Sequence, residues 1–338
     1  MNTILLENNI KDIIKAAEMI KQGKIVGIPT ETVYGLCADA RSEEAVKAVF
    51  RAKGRPADNP LIVHLADFSQ AEIYTSYIPD IAYRLAEKFC PGALTMVLPK
   101  NDKIPMITSG GLETVGIRIP SHPVMHEVIK ISGCPIAAPS ANISGLPSPT
   151  CAEHVIRDMN GKISAVINGG ESQFGVESTV ISFDNENRAR ILRPGAVTRE
   201  MLFDICDVVV DSAVLNDLAD GAEATSPGMK YKHYSPCADV VMVESSLEDF
   251  INLVNENNGD NVYSLIFNGD EKTFPFRYMT YGSDSSEQAH YIFRRLRELD
   301  DMGAEKIFVR SPDTEGIGLA VYNRLIRSAG FEVIRIKE

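Results

Sequence analysis

The sequence predicts two α/β domains joined by a long irregular segment, and three observations carry that prediction. At 338 residues the chain holds about two domains' worth of material at roughly 150 residues each. Short β-branched runs alternate with amphipathic helical stretches along most of it. Residues 211–236 break the alternation, with Gly221, Pro227, Gly228 and Pro236 among small and polar residues. So long an aperiodic stretch is uncommon inside a domain and marks a linker or a lid. The expected division is 1–210, 211–236 and 237–338.

The elements follow in order. The N-terminus reads as a short strand and an amphipathic helix, since acidic and amide residues interrupt its apolar stretch as they would not in a signal peptide. Residues 25–28, Ile-Val-Gly-Ile, make a buried strand ending at Pro29. Ser42 is a helix N-cap, and Ala45, Val49 and Ala52 share a face, which predicts a helix over 42–52. A strand over 61–65 and a helix over 81–89 follow, the latter stopped by Pro91-Gly92. Further strands are expected at 94–98, 115–119, 136–138, 166–168, 179–183 and 190–192. The late strands have no helix between them, which predicts a mixed sheet. Beyond residue 236 the alternation restarts: strands at 240–243, 262–267, 277–281, 306–309 and 332–336, and helices at 247–255, 287–299 and 317–328.

Composition bounds the function. With 44% hydrophobic and 24% charged residues there is apolar material for two cores. A net charge of −12 argues against a broad basic surface that coats nucleic acid, while leaving room for a local pocket for one anion. No apolar run approaches the ~18 residues of a membrane span. The six cysteines contain no C-x-x-C pair and read as reduced thiols, so the expected location is the cytoplasm.

Nucleotide motifs built on glycine loops are missing; Gly316-Ile317-Gly318 lacks a third glycine and reads as a helix start. Phosphates would therefore be held by side chains. In Lys53-Gly54-Arg55-Pro56, an extended loop would point Lys53 and Arg55 the same way, as a clamp for a polyphosphate; the alternative is a solvated basic helix end. In the run from Thr114 to Pro120 one face is Val115, Ile117 and Ile119, and the other is Thr114, Gly116 and Arg118. An arginine on a buried strand needs an anionic partner, a ligand or a structural salt bridge, and Gly116 leaves space for a close approach. Ser140-Ala141-Asn142 follows a strand end, where open α/β sheets bind ligands, or is an ordinary turn. Glu177-Ser178-Thr179 and Arg193-Pro194-Gly195 repeat the theme. His122 and His126 have a metal-like i, i+4 spacing but no third ligand nearby, and read as a helix start. Glu31 has the chemistry of a catalytic carboxylate or of a residue that holds its turn.

Together these residues resemble the YrdC-like family in its long two-domain form, the L-threonylcarbamoyladenylate synthases. The resemblance rests on Pro29-Thr30-Glu31-Thr32-Val33-Tyr34-Gly35-Leu36, Lys53-x-Arg55, Asn59-Pro60-Leu61, Ser140-x-Asn142, Glu177-Ser178-Thr179-Val180, Arg193-Pro194-Gly195, His233-Tyr234-Ser235-Pro236 and Asn323-Arg324-Leu325, and spans essentially the whole chain. It implies a strongly twisted mixed-sheet domain and a smaller Rossmann-like one. It implies a reaction in which threonine takes up bicarbonate and is adenylated by ATP, with magnesium, releasing pyrophosphate. Other proteins then move the threonylcarbamoyl group to tRNA. Carried over by motif, Thr32, His64, Arg118, Ala138 through its backbone, and Ser178 would surround threonine. Arg55, Asn59, Thr114, Ser140, Ser148, Arg193 and Tyr234 would hold the nucleotide, with His233 as the alternative to Tyr234. Lys53 and Asn142 would complete the catalytic set with Arg55 and Ser140. Two other readings stay open: a carbamoyl-phosphate enzyme, whose extra zinc-finger regions have no counterpart here, and an RNA-binding module of the same fold.

Overall fold

The computed structural model describes residues 2–216 and 234–336. They fall into two compact units. The first runs to Ser144 and from Ser148 to Val214; the second takes Gly145–Pro147, 215–216 and 234–336.

The first unit is an eleven-stranded sheet. In chain order its strands are β1 (Ile4–Glu7), β2 (Val26–Ile28), β3 (Gly35–Asp39), β4 (Ile62–His64), β5 (Leu94–Pro99), β6 (Thr114–Arg118), β7 (Ile136–Ala137), β8 (Ala165–Asn168), β9 (Thr179–Asn185), β10 (Arg188–Arg193) and β11 (Asp207–Val210). Their spatial order is β1-β8-β2-β3-β7-β4-β6-β5-β9-β10-β11. The sheet is mixed, as expected: β4 and β6 run parallel, whereas β5 is antiparallel to β6. Val115, Ile117 and Leu98 turn one face into the main core, beside Val49, Phe50 and Leu85 from the helices.

Local chemistry sets the helix ends. Ser42 Oγ accepts from the amide of Ala45, and Gly54 closes the helix Glu43–Lys53 in the left-handed conformation at φ 64°. One expectation is corrected here: Lys53 is the last residue of that helix, and Gly54 turns the chain before Arg55, so the two cations do not leave one extended loop side by side. The helix Ala152–Met159 and the strands β3 and β11 were not expected from the sequence, whereas the helix Pro123–Ser132 begins where His122 and His126 read as a helix start. Pro123 looks like a break but occupies the first turn, where its missing N–H costs nothing. Strand β3, Gly-Leu-Cys-Ala-Asp, lacks the β-branched residues that mark strands.

The second unit has the strands β12 (Asp239–Glu244), β13 (Val262–Ile266), β14 (Tyr278–Thr280), β15 (Lys306–Arg310) and β16 (Val333–Arg335), ordered β14-β13-β15-β12-β16. Every pairing is parallel, the arrangement that strand–helix alternation demands. Phe250, Val254 and Phe308 fill one of its cores. The expected linker, 211–236, lies mostly outside the described residues; at its near end Ser212–Val214 forms a 3-10 turn. Among the described residues no helix is long and apolar enough to cross a membrane.

Candidate functional site

The site grows from the register of four neighbouring strands. His64 on β4 lies opposite Arg118 on β6, Arg118 opposite Thr95 on β5, and Thr95 opposite Val180 on β9. Partners in register share a face, so a polar row of His64, Arg118 and Thr95 crosses the middle of the sheet. Gly116 stands two residues before Arg118 on that face. A Cβ there would come within 3.1 Å of Thr95 Cγ2, so glycine keeps this part of the face low. Pro60, Ile62, Thr95, Val97, Thr114 and Val180 line the resulting cleft with it.

Arg118 is buried and has the anionic partner its position demands. Nη2 donates to Glu31 Oε1 at 2.7 Å, and Nε donates to Gly92 O at 3.3 Å. Glu31 comes from the loop between β2 and β3 and is itself buried. Burial pushes its carboxyl up; the Arg118 guanidinium, by charge and hydrogen bond, outweighs this and holds it below the usual carboxylate range. Its second oxygen, Oε2, has no hydrogen-bond partner. His64 is also buried, with Nδ1 unpartnered. Asn59 Nδ2, next in sequence to the cleft residue Pro60, is also buried without a hydrogen-bond partner. Such atoms are costly unless a ligand completes them.

Burial, with the Arg118 charge, holds the His64 imidazole down to about 3 from its usual 6.5. The ring is neutral across the physiological range. An unfolded chain binds this proton near pH 6.5 and the folded one only near 3, so between those values the unfolded state carries more protons. Stability therefore falls as pH drops from 6.5 towards 3. We expect urea midpoints to decline between pH 7 and pH 5, with a shallower decline in His64→Gln; an identical slope in the variant would remove His64 as the cause.

The other expected residues have the following local partners. Thr32 is fully buried, its hydroxyl 2.8 Å from that of Thr30. Ala138 gives its amide to Ile62 O at 3.0 Å, which ties the segment after β7 to β4. Next to it, Ser140 bridges to Gly35. Lys53 Nζ donates to Ser140 O at 2.5 Å, Asn142 O at 2.7 Å and Asn142 Oδ1 at 3.3 Å. Arg55 Nη2 donates to Asn59 Oδ1 at 2.5 Å and to Pro60 O at 3.1 Å, which brings it to the rim of the cleft. Thr114 opens β6 on the cleft side. Ser178 Oγ lies 2.8 Å from Thr95 Oγ1. Arg193 donates from Nη2 to Ser178 Oγ at 3.1 Å and from Nε to Ser178 O at 3.0 Å. Ser148 donates to Glu177. Gly195 allows this packing, since a Cβ there would fall 2.4 Å from Thr179 N.

Tyr234 belongs to the second unit, buried against Phe293 with ring centroids 5.2 Å apart and with the Arg324 guanidinium 5.5 Å from its ring centre. His233 lies outside the described residues. His122 caps the helix Pro123–Ser132 through Nδ1, the helix-start reading. Thr95 was missed, although a threonine on the face of β5 opposite Leu94, Met96 and Leu98 was visible in the sequence.

The Sua5/YciO/YrdC family model, described as telomere recombination, matches residues 18–195. A second, described as the C-terminal domain of threonylcarbamoyl-AMP synthase, matches residues 197–330. The chain is 44% identical to a threonylcarbamoyl-AMP synthase of Pyrococcus abyssi, over 95% of each chain. It is 41% identical to one of Bacillus subtilis, over 98% of this chain and 96% of that one. The structure of P. abyssi Sua5 complexed with L-threonine is similar to the whole chain, with a TM-score of 0.89 at 40% identity and full coverage of both.

Proposed function

This chain belongs to the Sua5/YciO/YrdC family, and we propose that the polar row of its first unit is where the family's reaction takes place. It is an enzyme that forms threonylcarbamoyl-AMP from threonine and ATP, a step in tRNA modification. In our reading bicarbonate supplies the carbamoyl carbon. The threonine amine attacks the carbon of bicarbonate, forming the N–C bond as a C–O bond breaks and water leaves with an amine proton. An oxygen of the resulting N-carboxylate attacks the α-phosphorus. The bond from that phosphorus to the bridging oxygen breaks, and pyrophosphate leaves.

The observation that carries the assignment is the buried Arg118, paired with Glu31 between His64 and Thr95 and beside a glycine-floored cleft. A guanidinium of this kind suits an amino-acid carboxylate. Thr32, His64, the Ala138 backbone and Ser178 complete the threonine subsite. Arg55, Asn59, Thr114, Ser140, Asn142, Ser148 and Arg193 take the nucleotide, with Lys53 behind Ser140 and Asn142. Tyr234 or His233 would reach it from the segment 211–236 that joins the catalytic domain, 1–210, to the C-terminal one, 237–338. Little covalent chemistry is asked of these groups: adenylyl transfer is accelerated mainly by alignment and by charges set in advance. Glu31 and Glu177 are already bonded to Arg118 and Ser148. A magnesium ion would come in with ATP and would supply positive charge against the triphosphate. The product passes to proteins that transfer threonylcarbamoyl to tRNA.

The purified chain is expected to release pyrophosphate from ATP only when threonine and bicarbonate are both present. Release at the same rate without threonine would overturn the reading.

A further inference from the structure

Thr95 is fully buried, faces the cleft, and stands between two of the groups assigned to threonine. On one side it lies in register with Arg118. On the other its hydroxyl is 2.8 Å from Ser178 Oγ. Ser178 Oγ already accepts from Arg193 Nη2. A serine hydroxyl has two lone pairs and one proton. If Thr95 donates as well, both lone pairs are filled and the proton can only point outward.

We propose that Thr95 is a positioning residue: it donates to Ser178 Oγ and so commits the Ser178 proton to the carboxylate of bound threonine, beside Arg118. The proposal rests on the function given above and adds to it a residue that does not itself hold either substrate. Two donors feeding one hydroxyl polarise its O–H bond and strengthen what it donates. The arrangement also joins the subsites, because the second donor is Arg193, a residue assigned to the nucleotide. The Thr95 methyl has a separate part, since its Cγ2 lies where a Cβ at residue 116 would intrude.

The two parts are separated by substitution in the full chain. Thr95→Val keeps the shape and removes the hydroxyl; Thr95→Ser keeps the hydroxyl and removes the methyl. Pyrophosphate release gives KM for each substrate, and calorimetry with threonine gives its Kd. Thr95→Val is expected to raise the threonine KM and Kd about tenfold, the scale of a lost hydrogen bond to a charged group, and to change the KM of ATP much less. Thr95→Ser restores most of the affinity. In a Ser178→Ala background Thr95→Val has no further effect, because its route is gone.

A tenfold loss that persists in the Ser178→Ala background would overturn the proposal, as would a Thr95→Ser chain as impaired as Thr95→Val. Should Thr95→Val not fold, Thr95→Cys serves in its place: a thiol is a weak donor, so an intermediate threonine KM is expected and a wild-type value overturns the idea. If the wild-type chain itself shows no threonine-dependent release, the assigned function falls. If wild type is active and every Thr95 variant matches it, only the positioning role falls.

Discussion

Replacing Arg118 with methionine is expected to cost about 3–5 kcal/mol of stability and to abolish threonine-dependent pyrophosphate release. The first effect follows from burial. Arg118 and Glu31 are 5% and 3% exposed at their side chains and 2.7 Å apart. Removing one partner leaves the other charge in a low-dielectric interior without compensation, which is far worse than never having had the pair. The second effect follows from the role proposed for the guanidinium, as the cation that takes the threonine carboxylate. The double variant Glu31→Gln, Arg118→Met separates them. With both charges gone, urea unfolding should show most of the stability restored. Activity should stay at least about a hundredfold down, because a charged, geometry-specific contact to the carboxylate has no substitute. Restored turnover in the double variant would reduce Arg118 to a structural role.

The same pair shows how far the sequence could be read. The alternation from Thr114 to Ile119 assigned both faces of β6 correctly, because period two is a local property of an extended chain. It also required an anion for Arg118. It could not say which one, since Glu31 lies 87 residues away and only the crossing of β3, β7 and β4 brings its loop near. Thr95 escaped notice for the same reason: its importance lies in its neighbours across two strands, not in its own segment. The helix starting at Pro123 was legible only at its start, from His122 and His126, with a proline that is tolerated in the first turn. The resemblance supplied what periodicity lacked, a set of distant fragments in one order. It did not distinguish residues that would touch substrate from those that hold such residues in place.

Lys53 makes that distinction testable. As part of a phosphate clamp it would point into the cleft. Instead its side chain is buried, and Nζ reaches two backbone oxygens and an amide oxygen of the segment from Ser140 to Asn142, while Ser144 N donates back to Lys53 O at 2.9 Å. The lysine thus braces the very loop assigned to the nucleotide. Lys53→Met should strand the carbonyls of Ser140 and Asn142, at about 1–3 kcal/mol for each buried group left unmade. ATP-dependent turnover should fall about a hundredfold as the loop loses its preset geometry. Arginine should not rescue it, because a planar fork cannot replace a compact ammonium among three converging acceptors. The readout that separates brace from clamp is amide hydrogen exchange in the substrate-free protein. A brace predicts faster exchange at Ala141 and Ser144 in Lys53→Met before any ATP is added. A phosphate clamp predicts no change until ATP is present, and that result would return Lys53 to the surface of the nucleotide site.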